Sequence, residues 1–208
     1  NVSFGDEGGY SPVCDKMEEP FELLAAASEE EKVFFAIDVA ASELYKTGRY
    51  ELCGERYTPE EMLEIYKNLA SKYPLRSIED PFEESDLKNF RRIVVEMGEN
   101  VDIVGDDLTV TNPTRIREVS QHKAVNAIII KPNQIGTLSE VLEAASIAHA
   151  ANWKTIVSHR SGDTIDDFVA DLAVGIGAYG LKAGSPGPAE RRVKYQRLIE
   201  IEEREMIK

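Results

Sequence analysis

The sequence is poor in cysteine and lacks any long apolar run. Its two cysteines, Cys14 and Cys53, have neither a metal-ligand spacing nor a CxxC spacing. Two such thiols fit a reducing, cytosolic protein better than a secreted one held together by disulfides. No segment of the sequence approaches the ~20 consecutive apolar residues of a membrane-spanning helix, so no membrane partner is expected.

Basic residues are also scarce. Lys and Arg total 24 against 38 for Asp and Glu, which gives a formal net charge of -14 at pH 7. An acidic surface repels phosphate backbones, so nucleic acid is not an expected partner. A small anionic substrate remains compatible with this charge, because a local cluster of basic side chains and metal reverses the field inside one cleft.

What the sequence does contain is a regular alternation of short apolar runs and capped helices. The apolar runs are rich in Val and Ile, as buried parallel strands are, and they cover residues 33–37, 75–78, 101–104, 127–130, 154–157 and 179–181. The helices between them begin with capping signals such as Thr58-Pro59-Glu60-Glu61. The alternation predicts an α/β fold with parallel strands, either a barrel or an open doubly wound sheet.

A polar residue comes at or just after the end of each run. In chain order these residues are Asp38, Glu79, Asp106, Lys131, Ser158-His159-Arg160 and Lys182. Active sites of (β/α) barrels lie at the carboxyl ends of their strands. A charged residue directly after a buried run is costly unless it has a partner or a metal. The series therefore predicts a functional site at these strand ends.

The acidic members of the series predict a metal site. Asp38, Glu79 and Asp106 follow three consecutive strands, and converging carboxylates repel one another unless a cation lies between them. Hard oxygen ligands suit Mg²⁺, and a single strand-end histidine without suitable cysteines argues against zinc. We interpret the neighbouring Asp107 as a supporting residue.

The basic members predict acid–base chemistry on an anionic substrate. Beside a metal and a second lysine, the ammonium form of Lys131 or Lys182 is disfavoured, which makes one of them a candidate base for a carbon acid. The metal would stabilise the resulting enolate. Arg160 suits a bidentate grip on phosphate, and Ser161 adds a hydroxyl. A barrel aldolase with Lys131 as a Schiff-base nucleophile is the alternative.

Seven motifs resemble successive signatures of the enolase (phosphopyruvate hydratase) family, of an archaeal or bacterial-like type, in the family's order and with family-like spacing. They are Gly5-Asp6-Glu7-Gly8-Gly9, Asp38-Val39-Ala40-Ala41-Ser42-Glu43, Ser77-Ile78-Glu79-Asp80-Pro81-Phe82, Gly105-Asp106-Asp107-Leu108-Thr109-Val110-Thr111-Asn112-Pro113, Lys131-Pro132-Asn133-Gln134-Ile135-Gly136-Thr137, Ser158-His159-Arg160-Ser161-Gly162 and Lys182-Ala183-Gly184-Ser185-Pro186. Two enzyme alternatives from the same superfamily are acid-sugar dehydratases and racemases or cycloisomerases. They share the three carboxylates but lack the Ser-His-Arg-Ser-Gly loop.

The resemblance implies a cytoplasmic hydro-lyase of glycolysis and gluconeogenesis that converts 2-phospho-D-glycerate reversibly to phosphoenolpyruvate. It makes Asp38, Glu79 and Asp106 the ligands of a tightly held Mg²⁺, with Glu79 and Asp106 also at the substrate. Glu7 corresponds to one of two glutamates that assist departure of the C3 hydroxyl as water. Sites of the enolase superfamily are known to combine a Lys or His base with one or two Mg²⁺ ions. The assignment of a base and a metal is therefore an implication of the resemblance.

The same resemblance assigns the basic residues. Lys131 corresponds to the base that takes the C2 proton, and Lys182 helps to hold the substrate carboxylate. Arg160 and Ser161 correspond to phosphate-binding residues, and His159 of the same loop also lies at the substrate. Asp163 stands where the family usually has Glu.

The resemblance covers about half of a family member. Residues 1–208 then represent part of an enolase catalytic barrel, an incomplete TIM-type (β/α) barrel of about six C-terminal βα units. An N-terminal capping domain and the first barrel strands are expected to be absent from them. We expect the isolated chain to lack normal activity and to form a homo-oligomer or pair with the missing half. A truncated paralogue that acts as a scaffold is the alternative.

Overall fold

The structure is a computed structural model that describes residues 3–28 and 31–206. Its strands are β1 Ser3–Phe4, β2 Tyr10–Ser11, β3 Phe35–Asp38, β4 Tyr45–Lys46, β5 Arg49–Leu52, β6 Glu55–Tyr57, β7 Leu75–Glu79, β8 Asp102–Gly105, β9 Ala127–Ile130, β10 Lys154–Ser158 and β11 Gly180–Lys182. Its helices are α1 Glu19–Ala27, α2 Ala41–Leu44, α3 Pro59–Lys72, α4 Leu87–Met97, α5 Pro113–His122, α6 Pro132–Ile135, α7 Leu138–Ala150, α8 Phe168–Gly175 and α9 Ala189–Met206.

The six strands expected from the apolar runs are confirmed as β3 and β7 to β11. The boundaries differ by one or two residues. Asp38, Glu79 and Lys182 are the last residues of their strands, whereas the run pattern places them just beyond. Apolar periodicity marks the buried part of a strand and not its last hydrogen-bonded residue, so it gives strand ends only to within one or two residues.

The chain divides into two compact units. The first unit comprises the described residues of Cys14–Thr109 and Thr114–Ala127, and the second those of Asn1–Val13, Val110–Pro113 and Ile128–Lys208. No helix in the described part of the chain has both the length and the apolar composition needed to cross a bilayer.

The first unit is built on the parallel strands β3, β7 and β8, which lie side by side in chain order. Helix α3 begins with the predicted capping box, in which Thr58 and Glu61 each accept a hydrogen bond from the backbone N–H of the other. Helix α4 turns Phe90 and Ile93 into the core, where both side chains are fully buried. The sheet therefore has a packed face that fixes β7 and β8, whose ends carry acidic residues.

A second, antiparallel sheet of the first unit consists of β4, β5 and β6. Its Tyr50 is fully buried and belongs to an aromatic cluster with Phe82, Tyr66 and Phe90, whose ring centroids lie 6.0 to 6.3 Å from that of Phe82. The cluster surrounds the segment that follows β7. It thereby holds the chain just beyond Glu79 in one conformation.

The second unit contains the short antiparallel hairpin β1–β2 and the strands β9, β10 and β11. Strands β10 and β11 are parallel, with Ser158 opposite Lys182. Helices α7 and α8 pack against β10, and α9 packs against α8. The apolar residues of β9 are almost completely buried, as expected for a strand covered on both faces.

Candidate functional site

The carboxyl ends of the strands in the first unit bring the predicted acids close together. Asp38 is the parallel register partner of Glu79, and Glu79 is the partner of Val104. Asp106 follows Val104 by two residues. Because neighbouring strands lie ~4.8 Å apart, the three acids predicted from the sequence come to the same edge of the sheet. Glu79 and Asp106 are buried, and Asp38 is exposed.

Asp80 ties these strand ends to one another. Its carboxylate accepts hydrogen bonds from the backbone N–H of Asp106 at 3.0 Å and of Asp107 at 2.9 Å. Its own backbone N–H donates to the carbonyl of Val104, and its carbonyl accepts from the N–H of Ala41. Asp80 adopts a φ of 42°, a left-handed conformation that Asp tolerates better than most residues. One buried side chain thus fixes the loop that carries Asp106.

The carboxylates of Asp80, Asp106 and Asp107 offer ligand atoms that all lie within 4.8 Å of one another. Among the described residues, this is the group of acids close enough to hold a metal ion, and it includes Asp106 but not Asp38 or Glu79. The pKa of Asp80 is raised to about 7, mainly because the carboxyl group is buried; its two backbone hydrogen bonds lower this pKa, and the carboxylates of Asp106 and Asp107 raise it. Both Asp80 oxygens already accept backbone N–H groups, so we interpret Asp80 as a support for the site.

The segment after Asp80 is held by buried tyrosine hydroxyls. Tyr66 donates a hydrogen bond to the carbonyl of Pro81 at 2.8 Å, and Tyr50 accepts one from the N–H of Glu83 at 3.0 Å. Burial raises the pKa of Tyr50 to about 12. The acidic strand end is therefore set in a rigid frame of aromatic side chains.

Replacing Tyr66 with phenylalanine is expected to lower the free energy of unfolding by about 1–3 kcal/mol, because the buried carbonyl of Pro81 then loses its donor. Urea unfolding measures the change. The matched control is Tyr57→Phe, which removes an exposed hydroxyl bonded to Glu55 and is expected to change stability by less than ~0.5 kcal/mol. Equal effects of the two substitutions would show that the buried carbonyl of Pro81 does not need the hydrogen bond from Tyr66 for stability.

In the second unit, Lys131 follows β9 and its backbone is held by a buried threonine. The hydroxyl of Thr111 accepts from the N–H of Lys131 at 2.9 Å and donates to Oε1 of Gln134 at 2.7 Å. Thr111 is fully buried and has a φ of 54°. A β-branched residue with a positive φ is strained, and the two hydrogen bonds account for its retention at this position.

Glu7 lies at the tip of the β1–β2 hairpin. The turn is closed by hydrogen bonds from Gly5 N–H to Gly9 and from Gly8 N–H to Gly5. The carbonyl of Glu7 accepts from the N–H of Ser185 at 3.0 Å, which joins the hairpin to the segment after β11. The hairpin accordingly has a defined position within the second unit.

His159 lies between Glu7 and the interior of the second unit. Its Nε2 is 3.2 Å from Oε2 of Glu7, and its backbone N–H donates to the carbonyl of Lys182 at 2.9 Å. Burial lowers the pKa of His159, the positive charges of Arg191 and Lys182 lower it further, and Glu7 and Asp163 oppose them. The structure therefore brings together Glu7, His159 and Lys182, three residues predicted from the sequence.

The loop after β10 is held by two buried cations of helix α9. Arg191 donates to the carbonyls of Arg160 and Ser161, each at 2.6 Å. Lys194 donates to Oδ1 of Asp163 at 3.2 Å, and Asp163 accepts from the N–H of Arg160 at 3.3 Å. Burial raises the pKa of Asp163, but its hydrogen bonds outweigh burial and lower that pKa below its ordinary value. The side chains of Arg160 and Ser161 are exposed, so both are accessible to a ligand.

Gly184 allows the hairpin and the loop to approach closely. A Cβ at this position would lie 2.8 Å from the carbonyl oxygen of Glu7 and 3.0 Å from Cε1 of His159, and φ is 74°. Gly184→Ala is expected to cost ~1–2 kcal/mol of backbone strain and ~1–3 kcal/mol of steric overlap. Thermal and urea unfolding measure the sum.

The control for this substitution is Gly177→Ala. Gly177 has a φ of 63°, but no heavy atom of the described residues lies within 4 Å of the position that a Cβ would occupy. Only the backbone strain therefore applies to it. We expect Gly184→Ala to be the more destabilising of the two. Indistinguishable unfolding midpoints would contradict the close approach of Glu7 and His159 to Gly184.

Three residues of the candidate site have a role there that the sequence pattern does not predict: Asp80, Thr111 and Arg191. Asp80 lies between Glu79 and Pro81, and its place directly after Glu79 is the signal that could have indicated its role. Arg191 looks like a surface residue of a charged helix, because the segment Glu190-Arg191-Arg192 has no apolar pattern. Only the fold shows that one of these two arginines is buried.

Comparison with known proteins identifies the family. The family model described as the enolase C-terminal TIM barrel domain matches residues 1–206. The enolase of Methanopyrus kandleri is 47% identical over 210 residues, which is 97% of this chain and 49% of that protein. The enolase of Thermococcus gammatolerans is 48% identical with the same coverage. The enolase of Bdellovibrio bacteriovorus is 45% identical over 98% of this chain and 50% of its own length.

The chain spans about half the length of the curated relatives it matches. The match confirms the barrel-type fold and excludes the doubly wound sheet that periodicity alone left open. It also confirms the resemblance carried by the seven motifs. The chain belongs to the enolase family and corresponds to its C-terminal TIM barrel domain.

Proposed function

We propose that this chain serves the reversible dehydration of 2-phospho-D-glycerate to phosphoenolpyruvate, as part of a cytoplasmic enzyme of glycolysis and gluconeogenesis. The observation that carries the proposal is the series of acidic and then basic strand ends in a chain of the enolase family. Buried, supported acids such as Glu79 and Asp106 are costly to maintain unless they have a chemical task.

The oxygen-rich strand ends of the first unit support magnesium as the cofactor. In our proposal Asp38, Glu79 and Asp106 hold the ion, while Asp80 and Asp107 position the Asp106 loop. The donor type fits, because carboxylate oxygens at one edge of the sheet suit a hard divalent cation, and Asp106 lies in a cluster of three carboxylates. Bound Mg²⁺ supplies positive charge that offsets negative charge gained by the substrate carboxylate.

The proton transfers fall to side chains of the second unit. Lys131 takes the proton from C2 of the substrate, and the electrons of that C–H bond form the C2–C3 double bond as the C3–O bond breaks. The C3 hydroxyl leaves with a proton delivered at Glu7, so that water is formed. Lys182 holds the carboxylate. The fixed backbone of Lys131 supports its role, since a base works best from a defined position.

Substrate binding falls to the loop after β10. Arg160 and Ser161 bind the phosphate, with His159, Glu79 and Asp106 also at the substrate. The support for this is that Arg160 and Ser161 are exposed while their backbone carbonyls are held by the buried Arg191. Exposed side chains on a fixed backbone suit a charged ligand, because little conformational entropy of the backbone is lost on binding.

The proposal concerns a complete enzyme, because the chain corresponds to about half of its relatives. We propose that residues 1–208 are part of the catalytic barrel, and that the capping domain and first barrel strands lie outside these residues. Those parts come from the same polypeptide or from a paired one. A homo-oligomer is the further partner implied by the family.

The test measures phosphoenolpyruvate formation from 2-phosphoglycerate with Mg²⁺, for this chain alone and after mixing with the remaining half of a relative such as the Thermococcus gammatolerans enolase. We expect activity only in the mixture and its loss on adding a chelator. Efficient turnover by the chain alone would contradict the need for a second half. A mixture that forms a stable complex yet stays inactive would favour a scaffold role.

A further inference from the structure

The second unit contains a fully buried arginine, Arg191, on helix α9. Its Nη1 donates to Nδ1 of His159 and to the carbonyl of Arg160, and its Nη2 donates to the carbonyls of Ser161 and Asp6. Asp163 lies 3.8 Å from Nη1. Burying a guanidinium is costly unless its N–H groups have acceptors. The acceptors around Arg191 belong to the loop after β10 and to the hairpin, so we expect Arg191 to hold these segments in place.

The contact with Arg191 determines which ring nitrogen of His159 carries the proton. A guanidinium has donors and no acceptor, so Nδ1 of His159 must be the unprotonated nitrogen. A neutral imidazole then carries its proton on Nε2. That nitrogen is buried, has no aligned hydrogen-bond partner among the described residues and lies 3.2 Å from Oε2 of Glu7. Burial lowers the pKa of His159, in the direction that favours the neutral ring.

We propose that Arg191 is a positioning residue that locks His159 in the neutral Nε2–H tautomer and so presents a buried donor to the carboxylate of Glu7. The catalytic meaning of this donor rests on the proposed function, because only that function makes Glu7 a catalytic residue. The tautomer itself rests on the contacts of Arg191 alone. An experiment can therefore contradict the tautomer of His159 without contradicting the enolase assignment, and the reverse also holds.

The rest of the anchor supports a positioning role. Lys194, one turn further along α9, is also fully buried and donates to the carbonyl of Thr164 at 2.5 Å and to Asp163 at 3.2 Å. The two cations hold opposite ends of the loop that runs from His159 to Thr164. A loop fixed in this way presents Nε2–H of His159 in one direction before any ligand binds.

The experiment measures the tautomer directly. Nitrogen-15 NMR of the ring nitrogens separates protonated from unprotonated sites, and His159→Gln assigns the His159 signals among the three histidines. We expect protonated Nε2 and unprotonated Nδ1 in the wild-type chain. In Arg191→Met we expect a mixture of tautomers. We also expect a raised pKa of His159, because the positive charge of Arg191 is lost while Lys182, Glu7 and Asp163 still face the ring.

Two further variants control for folding. Arg192→Met changes the neighbouring exposed arginine, which bonds the carbonyl of Gly187, and should leave the His159 spectrum and titration unchanged. Arg191→Lys keeps a donor-only cation and should retain the Nε2–H tautomer. The proposal is overturned by a proton on Nδ1 in the wild-type chain, or by an unchanged tautomer in folded Arg191→Met. If Arg191→Met does not fold, the wild-type and Arg191→Lys spectra are the test. A proton on Nδ1 of His159 in either of them overturns the proposal.

Discussion

Alanine at position 131 is expected to reduce phosphoenolpyruvate formation by about 10²–10⁴-fold, the usual contribution of a positioned general base. The loss should appear in kcat and leave substrate binding largely intact, because Lys131 is proposed to act on the C2 proton and Lys182 to hold the carboxylate. The measurement is made on the chain combined with the remaining half of a relative. Exchange of the C2 hydrogen with deuterated solvent should fall by a similar factor.

The matched control is Lys154→Ala. Lys154 begins β10, at the opposite end of a strand from the candidate site, and its ammonium lies 4.1 Å from the centroid of the Tyr179 ring. We expect its removal to leave kcat within a factor of about two, as for a surface contact of this kind. A Lys131→Ala enzyme with normal exchange at C2 would exclude Lys131 as the base.

The same residue separates the dehydratase from an aldolase. A Schiff-base lysine is trapped by borohydride in the presence of a carbonyl substrate, whereas a base assisted by a metal is not. We expect no trapping at Lys131 and full inhibition by a chelator. Covalent trapping at Lys131 that survives chelation would favour the aldolase alternative.

The order of elements and the polar strand ends could be predicted because both are local. A capping box, a Val-rich run and the residue after it lie within a few positions of one another, so the sequence contains all the information. The prediction of Thr58 as a helix start needed only Glu61 three residues later. Strand limits were less exact, because the rim of a sheet is set by neighbouring strands.

The supports of the site could not be predicted, because each depends on contacts between residues far apart in the chain. The carboxylate of Asp80 bonds backbone groups 26 and 27 residues away. Arg191 bonds residues 30 to 32 positions away, and Asp6 at a separation of 185. Nothing in the local pattern around Arg191 distinguishes it from Arg192. Such residues become apparent only when the fold has placed their partners.

Substitution of Asp106 by asparagine is expected to abolish stabilisation by metal while leaving the metal-free chain at least as stable as the wild type. In the wild type, Mg²⁺ or Mn²⁺ at a concentration of about 100 times Kd should raise the free energy of unfolding by about 2.7 kcal/mol. The asparagine amide provides a weaker, neutral ligand, and we expect metal affinity to fall by more than the ~10–100-fold typical of a supporting residue.

The metal-free Asp106→Asn chain is expected to be at least as stable as the wild type because of charge repulsion among the carboxylates. The ligand atoms of Asp80, Asp106 and Asp107 lie within 4.8 Å of one another, so removing one negative charge reduces the repulsion between these carboxylates. Urea unfolding with and without Mn²⁺ measures both effects on the same sample. A functional site commonly stores instability of this kind, which its ligand removes on binding.

The control is Asp166→Asn, which changes an exposed carboxylate that accepts one hydrogen bond from the N–H of Phe168. It should change neither the metal-free stability nor the gain from Mn²⁺ by more than ~0.5 kcal/mol. A clear loss of metal-free stability in Asp106→Asn would mean that Asp106 is held mainly as a structural acceptor. Retained stabilisation by Mn²⁺ in the same variant would show that Asp106 is not a ligand of the metal. The proposal that the cofactor binds at these strand ends would then lose its basis.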